Sequence, residues 1–352
     1  MLFNVLELAV SSVFQEAQTC RMTSRNSLRA AAATAIALTL LACSRDVPNP
    51  YRTITGLVQA PAGRTLGSMS MVDVAPDGTL WIAERCGENN CLGHEDVDPV
   101  LHVSADGEWL GAFGAGLFAW PHGIYVDGEG NVWVTDARGG DDRGHQVIKF
   151  SPDGRELLRL GTSAHADAGP THFNGPTDVV VAANGDVFVS DGHEAMSNNR
   201  IVKFARDGTF IKEWGGTGSE PGQFIVPHAL ALDSQGRLFV ADRDNNRIQI
   251  FTQDGVFLDE WRQFGRPSGL HIAADDTLYV SDNQSNDERN PDWRRGIRVG
   301  SAKDGSVRAF IPDPEFDPAR AQETGAHGLA ADARGQIYGA EVYSQSVKKY
   351  VR

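Results

Sequence analysis

Three histidines share one position in a repeating unit: His122, His228 and His327 each open the first strand of a copy, in alternate copies. Copy by copy, that position reads Met71, His122, Thr177, His228, Ser268 and His327. If six such copies close into a ring, alternate positions stand about 120° apart around its axis, and the three imidazoles converge on one axial point. Three imidazole nitrogens suffice to hold a catalytic zinc ion, with the fourth position left to water or substrate. A single histidine on a strand is more often a hydrogen-bonded packing residue. The shared register, and not any one ring, argues for a metal. The histidines at 94, 102, 145, 165, 172 and 271 share no such register and read as surface or packing residues.

The elements that must position these rings are strands. The clearest copy runs Pro121 to Asp127, then Asn131 to Asp136, then Gln146 to Phe150, then an Asp153-Gly154 turn and Glu156 to Leu160. Apolar alternation bounded by turn residues is the mark of strands. The second strand recurs with an acid at its end as Trp81 to Glu84, Phe188 to Asp191, Phe239 to Asp242, Tyr279 to Asp282 and Tyr338 to Glu341, which makes six copies. The turn before the fourth strand recurs at Asp106-Gly107, Asp153-Gly154, Asp207-Gly208, Asp254-Gly255 and Asp304-Gly305. Such pairs tolerate the positive φ that tight hairpins need. The sixth copy stops after its third strand, so its outer strand must come from elsewhere, and residues near Tyr51 to Leu57 are the expected donor. Borrowing it joins the last copy to the first and hides two sheet edges. The expected fold is all-β: a six-bladed β-propeller over 67–352, with 44–66 as linker and closing strand.

The amino terminus reads as an address. Arg21, Arg25 and Arg29 precede an apolar run from Ala30 to Ala42, too short to span a bilayer but suited to a secretory signal. Leu40-Leu41-Ala42-Cys43 resembles a bacterial lipobox, so 1–43 is expected to be a lipoprotein signal with Cys43 acylated and Met22 as the possible true start. The protein is then exported to the bacterial cell envelope, in the periplasm or on the outer surface, with the lipid at Cys43 as its membrane attachment. Cys20 falls in the leader, leaving Cys86 and Cys91 in a compartment that permits a disulfide. With 32 Lys and Arg against 46 Asp and Glu, the formal charge is −14, which argues against a nucleic-acid partner.

The repeat resembles the NHL family through the Pro-x-Gly or Pro-x-Ala-Leu type openings of its inner strands, and through Asn199-Arg200-Ile201-Val202-Lys203-Phe204 and Asn246-Arg247-Ile248-Gln249-Ile250-Phe251. Within it, Phe224 to Leu230 followed by Phe239 to Gln249, and Pro121-His122-Gly123 with Trp133 to Asp136, resemble segments of the NHL-type peptidyl-α-hydroxyglycine α-amidating lyases. The resemblance implies that His122, His228 and His327 bind zinc and that Arg85 and Arg243 pair with a substrate carboxylate. It also implies cleavage of a carbinolamide into an amide and glyoxylate. Where the family has a tyrosine base, this chain has His193, two residues after Asp191, which is either a general base or a fourth metal ligand that would close the site. Tyr343 stands at the same offset from Glu341 and is a second candidate base. Gly325 and Gly328 stand where the family has a methionine and a calcium-supporting aspartate, so the resemblance does not carry a structural calcium across.

The expected partner is a small-molecule or peptide substrate, and the expected state a monomer. The six blades use the whole mature chain, so another protein is expected to make any hydroxyglycine substrate. Two other functions fit the fold. A non-catalytic propeller would bind a protein or glycan without metal. A metal-dependent propeller hydrolase of the lactonase kind would place Glu, Asn and Asp around the channel, where this register has histidines.

Overall fold

The computed structural model describes residues 47–194, 196–315 and 325–352. Met22, Cys43 and the rest of the expected leader lie outside the described residues.

Six four-stranded antiparallel sheets follow one another along the chain. Their inner strands are Met69–Val74, Pro121–Val126, Pro176–Val181, Pro227–Leu232, Gly269–Ile272 and Gly328–Ala331. Each inner strand packs beside the next, and the sixth returns to the first, so the ring closes around a central channel. The last sheet has three consecutive strands and a fourth from the amino-terminal side: Arg52–Ile54 pairs with Ser346–Val351 through Arg52↔Val351, Thr53↔Tyr350 and Ile54↔Lys349. Tyr51 is buried beside Tyr279, Leu329 and Tyr350, which seats this closing strand on the core between the fifth and sixth blades. The glycines of the five Asp-Gly turns, at 107, 154, 208, 255 and 305, all have positive φ.

The apolar cores lie between neighbouring sheets, where second and third strands stack. Trp81, Ala83 and Val100 of the first sheet pack with Ile124, Val134 and Ile148 of the second, and corresponding clusters continue around the ring. Burial of such side chains is worth about 25 cal/mol per Å² of apolar surface removed from water. A propeller spreads that gain over six similar interfaces.

One repeated polar device sets the inner strands. The acid that ends each second strand is almost fully buried: Glu84, Asp136, Asp191, Asp242, Asp282 and Glu341. Each carboxylate accepts backbone N–H groups from the loop that delivers the inner strand of its own sheet. Asp136 takes Ala119 at 2.9 Å and Trp120 at 2.5 Å, Asp191 takes Asn174 at 2.7 Å, and Asp242 takes Ile225 at 2.8 Å. Asp282 takes Arg266 at 3.0 Å and Glu341 takes Gly325 at 3.1 Å, while Glu84 takes Gly67. Third-strand side chains complete several of these buried sites: Gln146 on Asp136, Arg200 on Asp191, Arg247 on Asp242 and Lys348 on Glu341. Buried carboxylates persist only when paired and hydrogen-bonded in this way. The consequence for function is positional, because each acid fixes the loop that leads into the inner strand of its own sheet.

Candidate metal centre and its arginine-lined cavity

Four of the six inner strands carry a register shift at the point where the chemistry sits. The ladder jumps between Met69 and Met71, Pro121 and Ile124, Pro176 and Asp178, and Pro227 and Leu230. Bulges of this kind re-aim a side chain, here towards the channel. The pairing also corrects one expectation. Met69 faces Glu84 as Pro121 faces Asp136, so the equivalent of His122 in the first blade is Ser70 and not Met71. The six positions therefore alternate strictly: Ser70, His122, Thr177, His228, Ser268, His327.

The alternation is chemical as well. Each histidine uses Nδ1 on the backbone carbonyl of the next blade: His122 on Thr177 at 2.7 Å, His228 on Ser268 at 2.6 Å, and His327 on Ser70 at 2.7 Å. A carbonyl only accepts, so Nδ1 carries the hydrogen and Nε2 is left with its lone pair. The hydroxyls carry the bonding on to the following blade, Ser70 donating to Pro121 O at 3.2 Å and Thr177 to Pro227 O at 2.6 Å. Ser268 departs from this pattern and donates to Asn283 Oδ1 at 2.6 Å. Gly123 and Gly328 permit the close approach. A Cβ at Gly123 would lie 2.6 Å from Thr177 O, and one at Gly328 would lie 2.6 Å from Ser70 O and 2.3 Å from Met71 Sδ. An aspartate at 328 has no room in this packing.

The three imidazoles form a near-equilateral cluster, with ring centroids 4.7, 4.7 and 5.1 Å apart. One ligand atom from each lies within 4.8 Å of the others, the one such group of three potential ligands among the described residues. Nε2 of His122 and of His228 is buried with no hydrogen-bond partner. Burial holds the pKa of all three below the ordinary imidazole value, His327 at about 3, with nearby Arg85 and Arg243 acting in the same direction on His327. Neutral rings with tautomers fixed by carbonyls and bare Nε2 atoms are the form in which histidine binds metal. The donor set fits zinc.

Above the cluster opens a cavity of about 480 Å³, reached by Arg85, Trp120, Arg138, His193, Arg243 and Tyr343 among others. The four expected substrate and base residues, Arg85, Arg243, His193 and Tyr343, all line it, as does His327. Neither arginine is absorbed by the acid that precedes it in sequence, although Arg243 lies 3.4 Å from Asp244, which follows it. Glu84 pairs with Arg64 at 2.7 Å and Asp242 with Arg247 at 2.7 Å. Arg85 lies buried on the face of Trp120, 3.5 Å from the ring centroid, and donates to Asn89 Oδ1 at 2.6 Å and Pro121 O at 3.2 Å. Its Nη2 is buried without a partner among the described residues. Desolvation, with the charge of Arg138 next, pushes its pKa down to about 9, so at neutral pH it is a charged group with an unmet demand for an anion.

His193 stacks edge-on against Trp120 and His122, with centroids 4.7 and 4.9 Å away. Its Nδ1 faces Glu194 Oε1 at 3.2 Å, and Glu194 is held by Arg138 at 2.7 Å. Burial lowers the His193 pKa to about 4, leaving a neutral ring with Nδ1–H on the carboxylate and Nε2 free to accept. His193 is not a member of the three-ligand group. Tyr343 is half exposed at the rim.

Sequence reasoning missed Trp120, Arg138 and Asn89. The signal for Trp120 was its place one residue before Pro121-His122, where the buried Asp136 fixes its backbone. Asn89 sits inside the loop closed by the Cys86–Cys91 disulfide. That loop also takes Ser68 N–H on Glu88 O at 2.7 Å and gives Cys91 N–H to Ala119 O at 2.9 Å, so it ties Arg85 and Trp120 into one corner. Reducing the disulfide removes a short-loop constraint worth about 2 kcal/mol. Thermal unfolding with and without reductant is expected to show that loss, with weaker anion binding at Arg85 as Asn89 is freed. An unchanged melting temperature in the reduced protein would contradict it.

The geometry defines a six-bladed NHL-type propeller with a buried three-histidine centre under an arginine-lined cavity. The NHL repeat model matches residues 224–251, the stretch that holds both His228 and Arg243. NHL repeat-containing protein 3 of Homo sapiens is 31% identical over 322 residues, covering 86% of this chain and 84% of that protein. The chain therefore belongs to the NHL-repeat family. Peptidyl-glycine alpha-amidating monooxygenase of Mus musculus is 42% identical over 177 residues, 48% of this chain but 17% of that protein, so the match spans only a small part of that relative's length. A probable peptidyl-alpha-hydroxyglycine alpha-amidating lyase of Caenorhabditis elegans is 36% identical over 175 residues, 47% of this chain and 48% of that protein.

Proposed function

We propose that this protein is a zinc-dependent lyase of the peptidyl-α-hydroxyglycine α-amidating type, exported and held at the cell envelope by a lipid on Cys43, acting as a monomer. Its substrate is an N-acylated α-hydroxyglycine, and its products are the primary amide and glyoxylate. The observation that carries this reading is the pairing of bare Nε2 atoms on His122 and His228 with the unpartnered Nη2 of Arg85 in one site. The amidating-lyase name of the worm relative supports it. The basic flank and apolar run before Cys43 support export.

His122, His228 and His327 would hold the ion through Nε2, and a divalent ion there lowers the pKa of a hydroxyl brought to it. The chain's own residues do the rest. Arg85 takes the substrate carboxylate through its free Nη2, an interaction strengthened by burial and by the planar fork of donors. Arg243 adds positive charge from the opposite wall. His193, oriented by Glu194, accepts the hydroxyl proton at Nε2. As the C–O bond becomes a carbonyl, the C–N electron pair leaves with nitrogen, which regains a proton and departs as the amide. No water is consumed. Tyr343, at the rim, is the alternative base.

The test is glyoxylate release from an N-acyl-α-hydroxyglycine by the purified protein, before chelation, after it, and after zinc is returned. Release lost on chelation and restored by zinc supports the proposal. A bound metal without glyoxylate would leave a propeller that binds a protein or glycan partner, or that hydrolyses another substrate.

A further inference from the structure

Five arginines line the cavity, 85, 138, 243, 266 and 289, against two acids, Glu194 and Asp244. Arg138 is neutralised by Glu194 at 2.7 Å. Arg243 and Arg266 share one carboxylate, Asp244, at 3.4 and 2.5 Å. Among the described residues Arg85 has no acid within ion-pair distance, and Arg289 is exposed at the mouth. The lining is therefore cationic in a chain whose formal charge is −14. A monoanionic α-hydroxyglycine satisfies only part of that excess.

The surplus is not spread evenly. Arg85 and Arg138 belong to the first and second blades. Arg243 follows the second strand of the fourth blade, and Arg266 and Arg289 belong to loops of the fifth. In a closed ring of six, the first and fourth blades face each other across the channel. The fourth- and fifth-blade wall also presents donors from side-chain amides. Asn283 Oδ1 accepts the Ser268 hydroxyl at 2.6 Å, and Gln284 Oε1 accepts Arg266 Nε at 3.3 Å, which leaves each amide its NH₂ end. Arg289 O accepts Asn246 Nδ2 at 3.2 Å, so the loop that carries Arg289 is tied to the fourth blade. The charge of Arg289 bears on both Arg243 and Arg266, adding to burial in lowering their pKa values. Like charges held together in this way favour an anion between them.

We propose that Arg243, Arg266 and Arg289 form a second anion subsite, opposite Arg85, that takes a carboxylate on the acyl side of the bond being cleaved. This rests on the lyase reading for the identity of the bond but not for the existence of the subsite. The preferred substrate is then a dianion, an acidic acyl group joined to α-hydroxyglycine.

Calorimetry with N-succinylglycine and N-butyrylglycine tests the subsite without turnover, on the zinc-loaded and the metal-free protein. The dianion is expected to bind about tenfold more tightly in both forms, and less so as salt is raised. Arg289→Ala should shrink the preference and Arg289→Glu should abolish it. Equal binding of the two ligands, or a preference untouched by Arg289→Glu, overturns the proposal. Glyoxylate release from the succinyl and butyryl α-hydroxyglycines separates the two ideas. Equal release from both overturns the subsite and leaves the lyase standing. A calorimetric preference with no release from either supports the subsite and removes the lyase.

Discussion

Replacing His228 with alanine is expected to cut zinc affinity more than about 100-fold, beyond what loss of a mere outer partner of a metal ligand costs. Each ring brings one bare nitrogen to a shared point, and two nitrogens do not make the ligand set of a catalytic zinc site. His122→Ala and His327→Ala should behave alike, because the three centroids are separated by similar distances, 4.7 to 5.1 Å. Metal analysis should find about one zinc per wild-type chain and little in any variant. Zinc should raise the melting temperature of the metal-free wild type, since binding to the native state alone adds stability by mass action, and should leave the variants unmoved. Variants that fold, judged by circular dichroism, and still hold one zinc per chain would separate that residue from the centre.

The same variants bear on what fixes the site. Nδ1 of each ring is held by a backbone carbonyl of the neighbouring blade, so no side-chain substitution at Ser70, Thr177 or Ser268 removes that acceptor. The tautomer is a property of ring closure itself. Metal affinity should therefore respond to changes in blade packing, such as a side chain forced in at Gly123, whose Cβ would meet Thr177 O at 2.6 Å.

The fold was legible because its signals are local and repeated: six apolar strands with a terminal acid, and five Asp-Gly turns. The closing strand was legible from a deficit, one outer strand too few in the sixth copy. The histidine register was legible where proline precedes the ring, as in Pro121-His122 and Pro227-His228. It slipped in the first blade, where Met69 stands in place of the proline, so nothing in the sequence set Ser70 apart from Met71. The alternation of histidine with Ser or Thr, whose backbone carbonyls accept from the rings, was left incomplete with it. Asn89 was not legible, since its importance comes from what lies against it in space, and Trp120 was marked only by its place before Pro121-His122. Cys86 and Cys91 gave the only local sign that residue 89 is held in place.

Arg85→Ala is expected to lower kcat/KM for an α-hydroxyglycine about 10- to 200-fold, the range for losing a charge-assisted hydrogen bond in a buried site. The effect should fall mainly on KM, because the substrate carboxylate carries its charge throughout the reaction and is bound equally before and during bond cleavage. Arg85→Lys should recover only part of the loss. An ammonium retains the charge, but it lacks the planar fork that bonds Asn89 and Pro121 while keeping Nη2 free, and it cannot lie flat on Trp120. Arg243→Ala provides the contrast: if Arg85 alone grips the glycine carboxylate, loss of Arg243 weakens dianionic substrates with an acidic acyl group more than monoanionic ones with a neutral acyl group. A lysine variant with wild-type KM would reduce Arg85 to a point charge. A fall confined to kcat would instead tie it to bond cleavage, and the two outcomes are separated by initial-rate kinetics over a range of substrate concentration.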